Sequence, residues 1–167
     1  MLEIRPAVPA DATTIHTLVA DLAEYEKLAH EAIATPEDLG TALFGPSPRA
    51  FCDIAEWRQD GGTSAAGMAL WIYNFSTFRG RHGIYLEDLF VRPQFRGRGI
   101  GKALLVNLAQ RCVREELARL EWAVLDWNTP AIDFYRSLGA RSMHEWTINR
   151  LTDEPLARLA ATPGVTR

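Results

Sequence analysis

Apolar and polar positions alternate in some stretches of the chain and recur every three to four residues in others. Leu2 to Arg5 alternates and is stopped by Pro6, predicting a short strand. Ile15, Leu18, Val19, Leu22 and Tyr25 share one face of a helix opened at Pro9 or Asp11. Thr35-Pro36-Glu37-Asp38 supplies a cap, a first-turn proline and acids, so a short helix should run to about Phe44-Gly45. Ala50 to Trp57 and Gly67 to Phe75 read as an antiparallel hairpin turned at Gln59-Asp60-Gly61-Gly62. After a loop at Phe78–Gly83, Ile84 to Val91 is a further strand. A helix follows from Gly99 to about Ala118, burying Ile100, Leu104, Leu108 and Cys112. Leu120 to Leu125 reads as a strand, and Ala131 to Leu138 as a helix closed by Gly139. Ser142 to Leu151 is expected to be a final strand, and Thr152 to open a last short helix. The order predicts one α/β domain over residues 1–161, with a mixed, mostly antiparallel sheet, and a frayed tail over 162–167.

The stretch from Tyr85 to Lys102 organises this pattern. An apolar strand ends at Val91-Arg92-Pro93, and a helix begins after a loop holding Gly97, Gly99 and Gly101. Such a loop can turn several N–H groups toward one point at a helix N-terminus, where the dipole also favours an anion. Arg92, Arg96, Arg98 and Lys102 add positive charge, so the expected ligand carries phosphate. It is not a Walker loop, because Arg96 stands where the first glycine belongs and Ala103 where Ser or Thr is needed. It is not a dinucleotide fingerprint either, since Lys102 takes the last glycine position.

Composition narrows the choice. A chain of 167 residues can bury a real core, and 47% hydrophobic with 23% charged residues is ordinary for a globular protein. The net charge of −3 argues against nucleic acid as a main partner. The excess of arginine among its 18 basic residues has no functional reading. Cys52 and Cys112 lack ligand or disulfide spacing and read as reduced, buried thiols. His16, His30, His82 and His144 are scattered, so no metal is expected. No signal peptide or membrane-length apolar run is evident, which predicts a cytoplasmic protein with no membrane partner. Asp21, Glu24 and Glu26 crowd the end of the first helix, where acid meets the negative end of the dipole; this points weakly to a cation.

Arg96-Gly97-Arg98-Gly99-Ile100-Gly101 fits the pattern [QR]-x-x-G-x-[GA]. In its strand–loop–helix setting it resembles the pyrophosphate loop of the GCN5-related N-acetyltransferases (GNAT), which use acetyl-CoA. Leu22–Glu26, Tyr85–Val91 and Trp127–Tyr135, closed by Gly139-Ala140, occur in the order found in the diamine (spermidine/spermine) and thialysine acetyltransferase branch. The resemblance spans residues 2 to 150 and implies a GNAT fold with a central βαβ acetyl-CoA-binding unit. It implies that Leu89, Phe90 and Val91 meet the pantetheine and acetyl carbonyl between two splayed parallel strands. Arg96, Gly97, Arg98, Gly99, Ile100, Gly101 and Lys102 would hold the pyrophosphate, and Asn128, Pro130, Ala131 and Tyr135 the opposite wall. Tyr25, Glu26, Glu87, Asp88, Glu121 and Trp122 would form the pocket for a small cationic amine. A homodimer is the family expectation, with Trp71, Trp127 and Trp146 open to either an interface or the core.

Acetyl transfer requires a neutral amine. A lysine-like ammonium titrates near about 10.4, so a base must take its proton. Glu87 is the candidate base or substrate anchor, and burial beside Asp88 would raise its pKa. Adjacent strand residues face opposite sides, so both can line one site only if a bulge intervenes. A backbone N–H near Leu89 or Phe90 is the candidate oxyanion donor, and Tyr135 the acid for the leaving sulfur. Acetylation of a protein amino group or an aminoglycoside, or acyl-CoA binding without catalysis, are the competing readings.

Overall fold

The computed structural model describes residues 1–162, in two compact units, Met1–Ala123 and the segment from Val124. Of the predicted tail, residues 163–167 lie outside the described residues.

The first unit holds a five-stranded sheet in chain order: β1 (Leu2–Pro6), β2 (Ala50–Gln59), β3 (Gly62–Ser76), β4 (Arg81–Val91) and β5 (Leu120–Trp122). The first four strands pair antiparallel and β4 pairs parallel with β5, as the α/β reading required. Helix α1 (Ala12–Tyr25) and helix α2 (Pro36–Phe44) cover one face. There Ile15, Leu18, Leu22 and Leu43 pack with Cys52, Ile54, Met68 and Phe90. The cap of α2 forms as read, with Thr35 Oγ1 accepting from Asp38 N at 3.1 Å and Asp38 Oδ2 from Thr35 N at 2.9 Å. Arg5 fastens the end of β1 to the start of α1 through two bonds to Asp11, at 2.7 and 2.9 Å.

Helix α3 (Ile100–Arg114) packs against β3 and β4 and buries Ile100, Leu104, Leu105 and Leu108. Trp71, a candidate for an interface, belongs to this core. It is 2% exposed, its Nε1 donates to Asp53 Oδ2 at 3.0 Å, and the Arg111 guanidinium lies 4.9 Å from its ring. Both cysteines are free and buried.

Several boundaries differ from the sequence expectation. Helix α3 ends at Arg114 rather than near Ala118. Glu116 takes a left-handed φ of 53°, and Leu117 N–H closes onto the Cys112 carbonyl at 2.8 Å, a Schellman ending without glycine. The β3–β4 hairpin is longer than predicted, leaving only residues 77–80 as its turn. Strand β5 stops at Trp122 rather than Leu125, because its ladder with β4 ends at Leu86.

The second unit holds α4 (Thr129–Ser137) and α5 (Asp153–Ala160). Gly139 follows α4 with φ 89°, the left-handed ending its position predicted. The strand expected over Ser142–Leu151 does not form. Met143, Trp146, Ile148 and Leu151 fall at spacings of three, two and three, which no two-residue period sustains, and all four are at least half exposed. With no ladder partner, this backbone stays solvated. Trp127 and Trp146 are likewise exposed. Among the described residues, no helix is long and apolar enough to cross a membrane.

Candidate active site

Strand β4 changes its surroundings partway along. Its parallel pairing covers Ile84↔Leu120, Tyr85↔Glu121 and Leu86↔Trp122 and goes no further. From Glu87 to Val91, β3 is its only strand neighbour among the described residues. On the β3 side, Trp71 pairs with Leu86 and Leu70 with Asp88, leaving Glu87 as an extra residue. This is the β-bulge that two adjacent acids needed in order to serve one site. The parallel pair therefore separates where the acids begin. An extended ligand can lie along the freed edge of β4 and meet backbone groups of Leu89, Phe90 and Val91.

The loop after β4 reaches the start of α3 through two left-handed glycines. Gly97 has φ 75° and Gly99, the residue capping α3, has φ 76°. A Cβ built on either would meet nothing within 4 Å, so the loop borders open space. The first helical bond runs from Ala103 N to Gly99 O at 2.9 Å, and the N–H groups of Ile100, Gly101 and Lys102 precede it. This geometry fits a pyrophosphate.

The basic residues around the loop are used differently from one another. Arg92 is drawn away to α1, with Nε 3.2 Å from Asp21 Oδ2 and Nη1 donating to Ala65 O at 3.1 Å. The Arg98 guanidinium stands 5.1 Å from the Trp57 ring. Arg96 donates from Nε to Val91 O at 2.9 Å and lies 4.7 Å from the Tyr25 ring, which ties the glycine loop to the end of α1. Nothing in the spacing of Tyr25 and Arg96, some seventy residues apart, announces that contact.

Beside Tyr25, Glu26 follows the last residue of α1, and burial pushes its carboxyl up. Burial pushes Asp88 up to about 6, and the charges of Glu87 and Glu26 add to the effect. Glu26, Glu87 and Asp88 thus form one electrostatic group. Glu87 itself is exposed. Glu121 stands apart from the three: its Oε2 accepts from Arg119 Nε and from Asn74 Nδ2, both at 2.8 Å. Trp122 lies opposite Leu86. No group of three or more His, Cys, Asp or Glu suited to a metal occurs among the described residues.

The remaining candidates lie in the second unit. Asn128 is buried and caps α4, its Oδ1 accepting from Ala131 N at 3.4 Å, with Pro130 in the first turn. Tyr135 is half-buried, its ring 5.3 Å from that of Phe134.

A glycine loop at a helix start beside an unzipped parallel strand pair defines a coenzyme A-dependent acyltransferase. The chain matches the Acetyltransferase (GNAT) family over residues 15–140 and belongs to it. It is thus an N-acetyltransferase that uses acetyl-CoA as co-substrate. It is 37% identical over 164 residues to the thialysine N-epsilon-acetyltransferase of Bos taurus, covering 94% of this chain and 96% of that one. It is 30% identical over 194 residues to the L-ornithine N5-acetyltransferase NATA1 of Arabidopsis thaliana, covering 92% and 85%. Among solved structures, an integron cassette protein from the mobile metagenome of V. cholerae superposes with a TM-score of 0.79. That protein is 26% identical, with 96% of this chain and 98% of that one covered.

Proposed function

We propose that this enzyme acetylates the side-chain amine of a small cationic acceptor, a lysine-like or ornithine-like amino acid or a diamine, with Asp88 as the base. The observation that carries this reading is the bulge at Glu87 together with the raised Asp88 carboxyl. The relatives named for thialysine and ornithine support the choice of acceptor. Acetyl-CoA supplies the activated acetyl thioester, held by Gly97 to Lys102 and the β4 edge. Exposed Glu87 and half-buried Glu26 draw in the ammonium. A carboxyl near 6 is largely ionised at pH 7 and is a better-matched proton acceptor than one at an ordinary value of about 4. Asp88 takes one proton from the bound ammonium, and the neutral amine nitrogen then bonds to the acetyl carbon. A β4 N–H near Leu89 or Phe90 steadies the charge developing on the carbonyl oxygen. The C–S bond breaks, and the departing sulfur takes a proton, a role that the family resemblance assigns to the Tyr135 phenol; the second proton, shed by the acylated nitrogen, restores the phenol.

The test is the rate of coenzyme A release over a series of pH values. kcat/KM should rise through about pH 6 in the wild type. Tyr135→Phe should lower kcat about 10²–10⁴-fold; an unchanged kcat removes Tyr135 from the acid role. The protein is inferred to be a homodimer, from family resemblance and from the exposed Met143, Trp146, Ile148 and Leu151. Sedimentation at micromolar concentration tests the dimer, and a monomer there rejects it.

A further inference from the structure

The face of the sheet that carries Asp88 holds a second polar cluster. Trp71 faces α3, and so does its partner Leu86. Ile72, Tyr85 and Glu121, each one position removed, face the opposite side, together with Leu70 and its partner Asp88. Glu121 lies two ladder positions along the sheet and one strand across from Asp88. That separation is about 8 Å, from roughly 3.4 Å per residue and 4.8 Å per strand. It suits an acceptor with one amine at Asp88 and a second charged group beside Glu121.

The group at Glu121 is not purely acidic. Arg119 Nε is 2.8 Å from Glu121 Oε2, and Asn74 Nδ2 donates to the same oxygen at 2.8 Å. Asn74 Oδ1 is buried without a hydrogen-bond partner. Gly83 makes this arrangement possible: a Cβ there would stand 2.5 Å from Asn74 Oδ1 and 2.9 Å from Arg119 Cγ. Arg119 and Glu121 remain more than a third exposed, so a ligand can reach both.

A carboxylate and a cation side by side match a zwitterion. A polyamine needs acid at both ends and gains nothing from an arginine there. A carboxylate-bearing acceptor, by contrast, is repelled by Glu26, Glu87 and Asp88 unless a cation receives it. We propose that Arg119, Glu121 and Asn74 bind the α-carboxylate and α-ammonium of a basic amino acid whose side-chain amine reaches Asp88. This rests on the acetyl-transfer reading above and narrows its acceptor from amines in general to α-amino acids. Arg119 receives the carboxylate, Glu121 the ammonium, and Asn74 holds Glu121 in place.

The experiment compares lysine with cadaverine, which differ only by the carboxylate, in the wild type, Arg119→Gln and Arg119→Lys. Wild-type kcat/KM should favour lysine at least about tenfold, the worth of one charge-assisted hydrogen bond. Arg119→Gln should shrink that ratio about tenfold, chiefly through the KM for lysine, and Arg119→Lys should restore part of it. A wild-type ratio at or below one overturns the head-group site without needing any variant. So does a ratio that Arg119→Gln leaves unmoved. Turnover of neither amine while acetyl-CoA still binds overturns the acetyl-transfer reading and the head-group site with it.

Discussion

Ile84 and Leu86 are 0% and 2% exposed, and strands flank them on both sides. Glu87 and Asp88, next along the same strand, have β3 alone beside them, and Glu87 is open to solvent. The first half is paired on both sides, and Ile84 and Leu86 serve packing. The second half gives up one ladder and gains a free edge, a bulge and two carboxylates. A single displaced residue separates core from site. Strand β4 thus shows how a rigid sheet can present chemistry without a long loop: pairing is ended on one side only.

That contrast predicts opposite responses in the two halves. The largest effect should come from Asp88→Asn, with kcat/KM for amine acetylation at pH 7 falling about 10²–10⁴-fold. Glu87→Gln should instead raise the amine KM while kcat largely holds; the reverse pattern would exchange the roles of the two acids. Leu86→Ala, one residue before the bulge, should cost about 2–5 kcal/mol of stability in urea melts. The surviving folded fraction should keep its KM values, and a selective loss of KM would erase the division between the halves.

A smaller effect separates the halves by pH. Asp88 has a folded pKa near 6, above its unfolded value of about 4, so the folded state holds its proton more tightly. This group therefore contributes stability below about pH 4 that is lost as pH rises through about 6, on the order of 2–3 kcal/mol. Asp88→Asn should raise Tm at pH 8 and leave it little changed at pH 4. An equal shift at both values would mean that Asp88 acts through packing rather than charge. Smallest of all, Gly99→Ala should cost about 1–2 kcal/mol through its left-handed φ and raise the KM for acetyl-CoA. A change confined to the amine KM would separate the glycine loop from the coenzyme.

The glycine loop was readable because its chemistry is local. Glycines placed just before an amphipathic run imply positive φ and a helix start, whatever surrounds them, and Gly97 and Gly99 take it. The hairpin, the α2 cap and the Gly139 ending were readable for the same reason. The strand expected at Ser142–Leu151 was not, because strand formation depends on a partner that a stretch of sequence does not carry. Arg92 misled in a similar way. A cation four residues before Arg96 counts as loop charge until Asp21 is seen to hold it. The early end of α3 rests on Glu116 taking a conformation that its residue type disfavours.

The sequence by itself determined the α/β class, the glycine loop at a helix start and the presence of two adjacent acids in the strand before it, since each follows from spacing over a few residues. Only the tertiary structure decided what those acids are. The bulge at Glu87 comes from the register against β3, and the raised Asp88 carboxyl from burial with Glu26 brought in by α1. The clasp of Arg119, Asn74 and Glu121 comes from three strands meeting over Gly83. Desolvation and charge coupling depend on distances through space, and residues about 60 positions apart in the chain acquire those distances only when the sheet closes.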